Sequence, residues 1–266
     1  MRSIAAYIRA SWLSASSYRV SMVLSLLGVI GAIIPVYFVA KALQPMMGHI
    51  IQGEGHQYFA FVLVGTITFS FIPLAVKGLP DAITGSINNG TMEAVLGTPT
   101  SMPIMFAGMM GYSFIWTFIR AALTLLAGWM LGASIAWSQV PLAMLVLALL
   151  ILAYVPIGLI SASSYLAFRT PGPIATGVMI VSTLLGGVYY PAKVVPAWLQ
   201  HISGFIPLTY GLRALRKVVL EGASLRIVGA DVAMLLLMTI VLLCIGLWVF
   251  KMAMSYARRV GSLGYY

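Results

Sequence analysis

Charged residues are scarce in this chain of 266 residues, and their scarcity decides its class. Only 8% of the residues are charged and 61% are hydrophobic, whereas a soluble domain carries roughly 25% charged residues. The mean hydropathy is +1.03, so the composition indicates an integral membrane protein. The net charge of +10 comes from 15 Lys and Arg scattered between apolar runs. Without a basic stripe and interleaved aromatics, this charge does not indicate nucleic-acid binding.

Cysteine and histidine are also rare. The one cysteine, Cys244, can form no intramolecular disulfide and reports nothing about the redox compartment. The three histidines, His49, His56 and His201, do not group with Cys or acidic residues at metal-ligand spacing. The stretch GEGH at 53–56 is interpreted as a short polar loop, and no metal site is predicted.

Motifs for nucleotide binding and catalysis are missing as well. No G-x-x-x-x-G-K-S/T occurs, so the chain is not expected to hold ATP phosphates by itself. No Asp or Glu lies well inside a predicted span, and Asp231 sits at an edge. Proton-coupled carriers usually have intramembrane acids or His, so secondary transport is disfavoured. An intramembrane lipid-processing enzyme is a remote alternative, because it too would need a catalytic acid or His inside a span.

Six apolar runs are long enough to cross a membrane, which takes about 20 mostly apolar residues. They predict an all-α polytopic protein with a single transmembrane domain over 1–266 and a cytoplasmic tail at 253–266. The predicted spans are 20–41, 57–78, 103–131, 140–167, 173–190 and 230–252.

The distribution of Lys and Arg predicts the orientation. With the N-terminus inside, both termini are cytoplasmic and the protein is multi-pass in the cell (inner or plasma) membrane. One segment disagrees, because residues 191–229 are predicted to lie outside yet hold Arg213, Arg216, Lys217 and Arg226. The basic residues on the predicted cytoplasmic side are Arg2, Arg9, Arg19, Lys77, Arg169, Lys251, Arg258 and Arg259.

Two amphipathic helices are predicted on the cytoplasmic side. Residues 1–19 are expected to lie in the interface, with a plain polar lead-in to the first span as the alternative. In the loop 79–102, Thr91 is predicted to cap a short helix, and Gly97 and Pro99 to stop it. A short helix between two spans is a docking surface more often than a chemical site.

The stretch GGVYYPAKVVPAWLQ at 186–200 is too apolar for an aqueous loop, and too rich in proline for a span. Pro191 is predicted to end the fifth span. Pro196 and Pro207 are predicted to begin two short helices, with Gly222 stopping the second. These helices, at 196–203 and 207–221, are too short to span.

Segment 191–229 is therefore predicted to hold re-entrant or surface-lying helices that fold back into the outer leaflet. Its neighbouring rings Tyr189, Tyr190 and Trp198 also fit an interfacial aromatic belt.

Arg120 lies near the middle of the third predicted span. An arginine at the bilayer centre costs roughly 2.5–3.5 kcal/mol on insertion scales, so it should face the protein interior, a cavity or a partner subunit. Two interpretations stay open. Arg120 contacts an anion or head group along a path, or it is a structural residue that snorkels to the interface or is paired with carbonyls.

The run at 184–222 resembles a pattern in the permeases of ABC exporters, the six-span family that includes antibiotic-resistance, O-antigen and teichoic-acid exporters. The matching residues are Pro196, Trp198, Leu199, Pro207, Leu208, Thr209, Tyr210, Arg213 and Gly222. The loop NGTMEAVLGTPTS at 89–101 is similar to a cytoplasmic G-T-x-E-x-L-x-x-T-P pattern of that family. It matches at Gly90, Thr91, Glu93, Thr98 and Pro99, with Val95 where leucine is common.

The resemblance implies the membrane half of an exporter, with no cofactor on this chain and with ATP and Mg on two copies of a separate ATP-binding subunit. A second permease copy is expected to complete a homodimer among membrane lipids. Coupling to the ATPase is assigned to Gly90, Thr91, Met92, Glu93, Val95, Leu96 and Pro99. The outer gate and exit path are assigned to Tyr189, Tyr190, Pro191, Trp198, Pro207, Tyr210 and Arg213.

The substrate class rests on weaker signals. Few charges and many Met, Leu and Val favour an amphiphilic drug- or lipid-like substrate, exported from the cytoplasm or the inner leaflet. The aromatic rings, which can stack on sugars, keep a polysaccharide exporter of the O-antigen or teichoic-acid type as the alternative. A non-transporting assembly subunit is a further one.

Overall fold

The computed structural model describes residue 12 and residues 19–88, 102–168 and 173–260. Over the described part of 19–260 the chain forms α-helices and two short 3-10 turns, without a strand, so the predicted all-α class is confirmed there. The helices are α1 (Arg19–Met47), α2 (Tyr58–Phe69), α3 (Ile72–Asn88), α4 (Met102–Met130), α5 (Val140–Phe168), α6 (Pro173–Leu185), α7 (Ala197–Ser203), α8 (Pro207–Glu221) and α9 (Leu225–Val260).

Five stretches of the described residues are long and apolar enough to cross a membrane. They overlap the predicted first, second, third, fourth and sixth spans. The second combines α2 and α3, with a break at which the Ser70 hydroxyl donates to the carbonyl of Ile67 at 2.6 Å. The five stretches are Met22–Met47, Tyr58–Asp81, Met110–Met130, Trp137–Ser164 and Leu225–Ala253.

The predicted fifth span is shorter than its apolar run. Helix α6 has 13 residues and measures about 20 Å at 1.5 Å per residue. It ends at Leu185, so the prediction that Pro191 ends it was wrong. Two residues later, Gly187 has φ +84°, a left-handed conformation that glycine adopts without the steric cost of a Cβ. The glycine pair turns the chain before the proline is reached.

Helix α5 lies at the centre of the bundle and packs against α3, α6, α8 and α9. Its residues Leu150, Ala153 and Tyr154 are fully buried. The Tyr154 hydroxyl shares a hydrogen bond of 2.8 Å with the hydroxyl of Ser182 on α6. Helix α1 is peripheral by contrast, since most of its apolar side chains remain exposed.

Three connections meet at one end of the bundle, here called the capped end: residues 48–57, 131–139 and 186–224. The amide of Ser134 donates to Gln57 Oε1 at 3.3 Å. The amide of Ala136 donates to the carbonyl of Val219 at 2.8 Å. These bonds join connections that are far apart in the sequence.

The two short helices predicted at 196–203 and 207–221 are confirmed. Pro196 caps α7, and Pro207 is the first residue of α8. Gly222 stops α8 with φ +68°. Helix α8 buries an apolar stripe, with Leu208, Leu212 and Leu215 in the core.

Candidate functional site

The chain leaves helical geometry after α6, and residues 186–190 form turns and bends at the capped end. Irregular backbone at membrane depth is tolerated only where its polar groups have partners in the protein. Hydroxyl groups provide several of these partners. The hydroxyl of Tyr190 donates to the carbonyl of Leu184, and that of Ser203 donates to the carbonyl of Leu185 at 2.7 Å. The hydroxyl of Tyr58 donates to the carbonyl of Tyr189 at 3.0 Å.

Arg216 of α8 holds the middle of this irregular segment. Its Nη2 donates to the carbonyls of Gly187 and Val188 at 2.8 and 2.9 Å. Its Nε donates to the carbonyl of Phe61 at 3.3 Å. The guanidinium carbon lies 3.3 Å from the centroid of the Phe61 ring, a cation–π contact. Four groups from two other segments thus converge on one side chain.

The charge of Arg216 is balanced by Glu54, in the connection between α1 and α2. Arg216 Nη1 lies 3.2 Å from Glu54 Oε2, and only 1% of Arg216 and 8% of Glu54 are exposed. Burial lowers the pKa of the Arg216 guanidinium to about 10, and the Glu54 carboxylate opposes that shift. Arg216 therefore stays charged at neutral pH. Breaking such a buried pair by removing one partner costs about 3–5 kcal/mol.

Helix α2 touches the irregular segment at Gly65. A Cβ at this position would lie 2.3 Å from the carbonyl oxygen of Val188 and 2.9 Å from Nη2 of Arg216. Real Cβ atoms are not found that close to backbone atoms. Only glycine therefore allows α2, the irregular segment and Arg216 to meet.

A second charged cluster lies between α8 and the start of α9. Arg213 Nε donates to Asp231 Oδ1 at 2.8 Å, and Lys217 Nζ lies 3.9 Å from Asp231 Oδ2. The hydrogen bond to Asp231 raises the pKa of Arg213, against the opposing effect of burial. The guanidinium also lies over the ring of Tyr210, at 5.3 Å from its centroid. Three of the basic residues that disagreed with the predicted orientation are thus held in ion pairs at the capped end.

The residues assigned to the outer gate all lie at the capped end, but in different environments. Pro191 and Pro207 are buried, while Tyr190, Tyr210 and Arg213 are partly buried. Tyr210 donates its hydroxyl to the carbonyl of Gly204 at 3.1 Å. The rings of Tyr189 and Trp198 are exposed, at 45% and 64% of their surface.

Two cavities flank α4. One, of about 400 Å³, lies between α2, α4, α5 and α8 and has an almost entirely apolar lining that includes Phe71, Phe118 and Leu215. The other, of about 410 Å³, lies against α3 and is lined by Arg120 together with Lys77 and Asp81. The structure therefore places Arg120 at a cavity, one of the surroundings predicted for it.

Comparison with known proteins decides the family. The family model for the ABC-2 type transporter matches residues 1–220. The chain belongs to the ABC-2 type transporter family. A curated relative, the linearmycin resistance permease protein LnrN of Bacillus subtilis (strain 168), is 27% identical over 157 residues. That match covers 58% of this chain and 40% of the relative, so the chain spans well under two thirds of the relative's length.

The coupling residues assigned to this ABC-2 chain lie outside the described residues. They are Gly90, Thr91, Met92, Glu93, Val95, Leu96 and Pro99. The predicted interfacial helix at 1–19 lies outside them too, except for Trp12 and for Arg19, the first residue of α1. Both assignments stay predictions.

The sequence analysis missed the role of Glu54 and Arg216 in this ABC-2 chain. Glu54 was interpreted as part of a polar loop, and Arg216 was noted only as one of the basic residues that disagree with the predicted orientation. One signal was present: Glu54 is one of only five acidic residues, in a chain where unpaired charge is costly.

Proposed function

We propose that this chain is the membrane-spanning permease subunit of an ATP-driven exporter. The match of residues 1–220 to the ABC-2 type transporter carries the proposal. The LnrN relative is a linearmycin resistance permease protein by name, which supports export of a toxic compound. The chain is a transport subunit rather than an enzyme, and ATP with Mg is hydrolysed on a separate subunit.

The partners follow from this assignment. Membership of the ABC-2 family supports pairing with an ATP-binding subunit, which in two copies supplies the energy. Segment 91–96 of the cytoplasmic loop, which the sequence predicts to be a helix and which includes Glu93, contacts the ATPase and passes its closure to the spans. A second copy of the permease completes a dimer, with the transport path between the copies.

The arrangement in the membrane has six crossings with both termini in the cytoplasm. Helix α6 is the short fifth crossing. The position of its C-terminal end supports this assignment. Its C-terminal carbonyls are bonded by Tyr190 and Ser203 at the capped end, where the connections 48–57 and 131–139 also lie. The capped end is the outer side, and α7 and α8 re-enter the outer leaflet there.

The capped end is the outer gate. Arg216 and Glu54 tie the irregular segment to α2, so a movement of α2 changes the bonds of the gate directly. Tyr189 and Trp198 present exposed rings at this exit. Alternating access or a gated channel, driven by closure of the ATPases, then opens the exit.

The substrate is an amphiphilic drug- or lipid-like molecule. The apolar cavity beside α4 supports this class, because a polysaccharide would need polar groups where Phe71, Phe118 and Leu215 lie. An O-antigen or teichoic-acid type exporter is the alternative, to be separated by substrate screening.

Co-purification tests the proposal. This chain is expressed with the ATP-binding subunit encoded beside it, and ATP hydrolysis by the complex is measured for the natural chain and for Glu93→Ala and Gly90→Pro. We expect a stable complex whose hydrolysis is altered or lost in both variants. If no ATPase binds, the proposal of an ATP-driven exporter is wrong. If an ATPase binds but hydrolysis is the same in all three proteins, the assignment of coupling to Gly90 and Glu93 is wrong.

A further inference from the structure

The cavity between α3 and α4 contains charge at a depth where charge is costly. It measures about 410 Å³, within the range of small-molecule sites. Arg120 lines it at the midpoint of the apolar stretch Met110–Met130. Lys77 and Asp81 line it near the C-terminal end of the stretch Tyr58–Asp81. The cavity therefore extends from one end of the second span to the middle of the third.

Partners for these charges are missing within the described ranges. There, the side chains of Arg120, Lys77 and Asp81 take part in no hydrogen bond or ion pair. Lys77 and Asp81 are one helical turn apart, the spacing that suits an ion pair, and still form none within 4.0 Å. The protein thus holds an arginine in mid-span beside an open space.

The lining chemistry identifies the occupant. Two cations and one carboxylate leave a net charge of one positive unit, which favours an anion. The guanidinium fork and the ammonium both bind oxyanions such as phosphate or carboxylate. The remaining wall includes Leu74, Met110 and Trp116, on which an alkyl chain can pack.

We propose that this cavity binds the oxyanionic head group of an amphiphile, with Arg120 and Lys77 contacting the anion. The alkyl chain lies along the apolar wall. This deepens the proposed function by naming a substrate class, and the transport part rests on that function. The head group enters from the Asp81 end, the cytoplasmic end in the proposed orientation, and Asp81 accommodates a cationic group when the amphiphile is zwitterionic.

Direct binding tests the site. The full chain is purified in an uncharged maltoside detergent without its ATPase, and binding of radiolabelled decyl phosphate is measured by scintillation proximity. One charge-assisted hydrogen bond changes binding affinity by a factor of about 10 to 100. We therefore expect Arg120→Gln and Lys77→Gln each to weaken binding about tenfold. Arg120→Lys should retain most of the affinity.

The matched control is Lys251→Gln, which removes an exposed lysine from α9, far from the cavity lining in the chain. Its affinity should equal that of the natural chain. Lys77 lies near a span end, so Lys77→Gln still decides the question if Arg120→Gln fails to fold. Unchanged affinity in Lys77→Gln and in folded Arg120→Gln overturns the proposal.

Competition separates the sources of the anion. Displacement by phosphatidylglycerol at lower concentration than by unlabelled decyl phosphate supports the site with a bilayer lipid as its occupant. Stronger displacement by decyl phosphate supports a single-chain amphiphile. Equal displacement by inorganic phosphate or by decyltrimethylammonium contradicts the proposal. Since no ATPase is present, the result does not depend on whether ATP hydrolysis couples to this chain.

Discussion

Arg216 and Glu54 are 162 residues apart in the sequence and form a buried ion pair, with 3.2 Å between Nη1 and Oε2. The same guanidinium also bonds three backbone carbonyls, at Phe61, Gly187 and Val188. One side chain therefore joins the connection after α1, helix α2 and the irregular segment after α6. These are the segments that must part if the capped end opens.

Replacement of Arg216 by Met should destabilise the protein by about 3–5 kcal/mol, because Glu54 is left buried and unpaired. That corresponds to a fall in melting temperature on the order of 10 °C, measured on purified protein as the fraction that stays monodisperse after heating. Arg226→Met, at an exposed arginine at the start of α9, is the control and should melt like the natural chain.

A double variant separates the two roles of Arg216. Replacing a buried ion pair by apolar residues is often neutral. If Arg216 stabilised the protein only through its ion pair, the double variant Glu54→Leu with Arg216→Met would therefore be as stable as the natural chain. We expect only partial recovery, because the carbonyls of Gly187 and Val188 lose their donor. Full recovery would show that the bonds to the carbonyls contribute nothing.

Alanine at Gly65 should loosen the contact between α2 and the irregular segment. The new Cβ would lie 2.3 Å from the carbonyl oxygen of Val188, which is backbone and has little freedom to move. Overpacking costs about 1–3 kcal/mol, and we expect a lower melting temperature. Gly31→Ala on α1 is the matched control, since a Cβ there meets nothing within 4 Å. It should be neutral or slightly stabilising, and equal losses at both glycines would contradict the close approach.

The bounds of α8 could be predicted from the conformational preferences of single residues. Pro207 and Gly222 bound α8 as predicted, because proline suits a first helical position and glycine suits the left-handed residue after a helix. The end of α6 was missed because Gly187 turns the chain before Pro191 does. Glycine and proline both end helices, and the sequence alone does not show which of the two ends α6.

The pairing of Glu54 with Arg216 could not be predicted from the sequence around either residue. Periodicity assigns faces within one helix, whereas this pair depends on how two connections meet at the capped end. The surroundings of Arg120 were easier to predict, because a charge in mid-span must face a cavity, a partner or the interior. That argument did not require the contacts of any neighbouring helix.

Phenylalanine at Tyr190 should destabilise the end of α6 more than phenylalanine at the adjacent Tyr189. The Tyr190 hydroxyl donates to the carbonyl of Leu184, whereas in the described residues the Tyr189 hydroxyl has no partner. This hydrogen bond is exposed, so its loss should cost about 0.5–1.5 kcal/mol, the net contribution of a typical intramolecular hydrogen bond. Melting temperatures of the two variants, prepared side by side, give the comparison. Similar values would mean that the hydroxyl of Tyr190 does not hold the helix end.

Asp231 makes a further prediction, because its two cationic partners are held at different distances. Arg213 Nε lies 2.8 Å from the carboxylate and Lys217 Nζ 3.9 Å from it. The Arg213 side chain is 37% exposed, so water screens the pair and its loss should cost only about 0.5–1 kcal/mol. Arg213→Gln should therefore lower the melting temperature slightly, and Lys217→Gln less.

Geometry rather than charge should decide the effect at Arg213. Arg213→Lys keeps the charge but cannot bond the carboxylate through two nitrogens, so it should behave more like Arg213→Gln than like the natural chain. Added salt screens the attraction between exposed charges, but most of the loss in Arg213→Gln should remain at high ionic strength, because the short hydrogen bond to Asp231 is what the variant removes. If Lys217→Gln costs as much as Arg213→Gln, and salt removes both losses, long-range attraction rather than the short hydrogen bond holds Asp231 against α8.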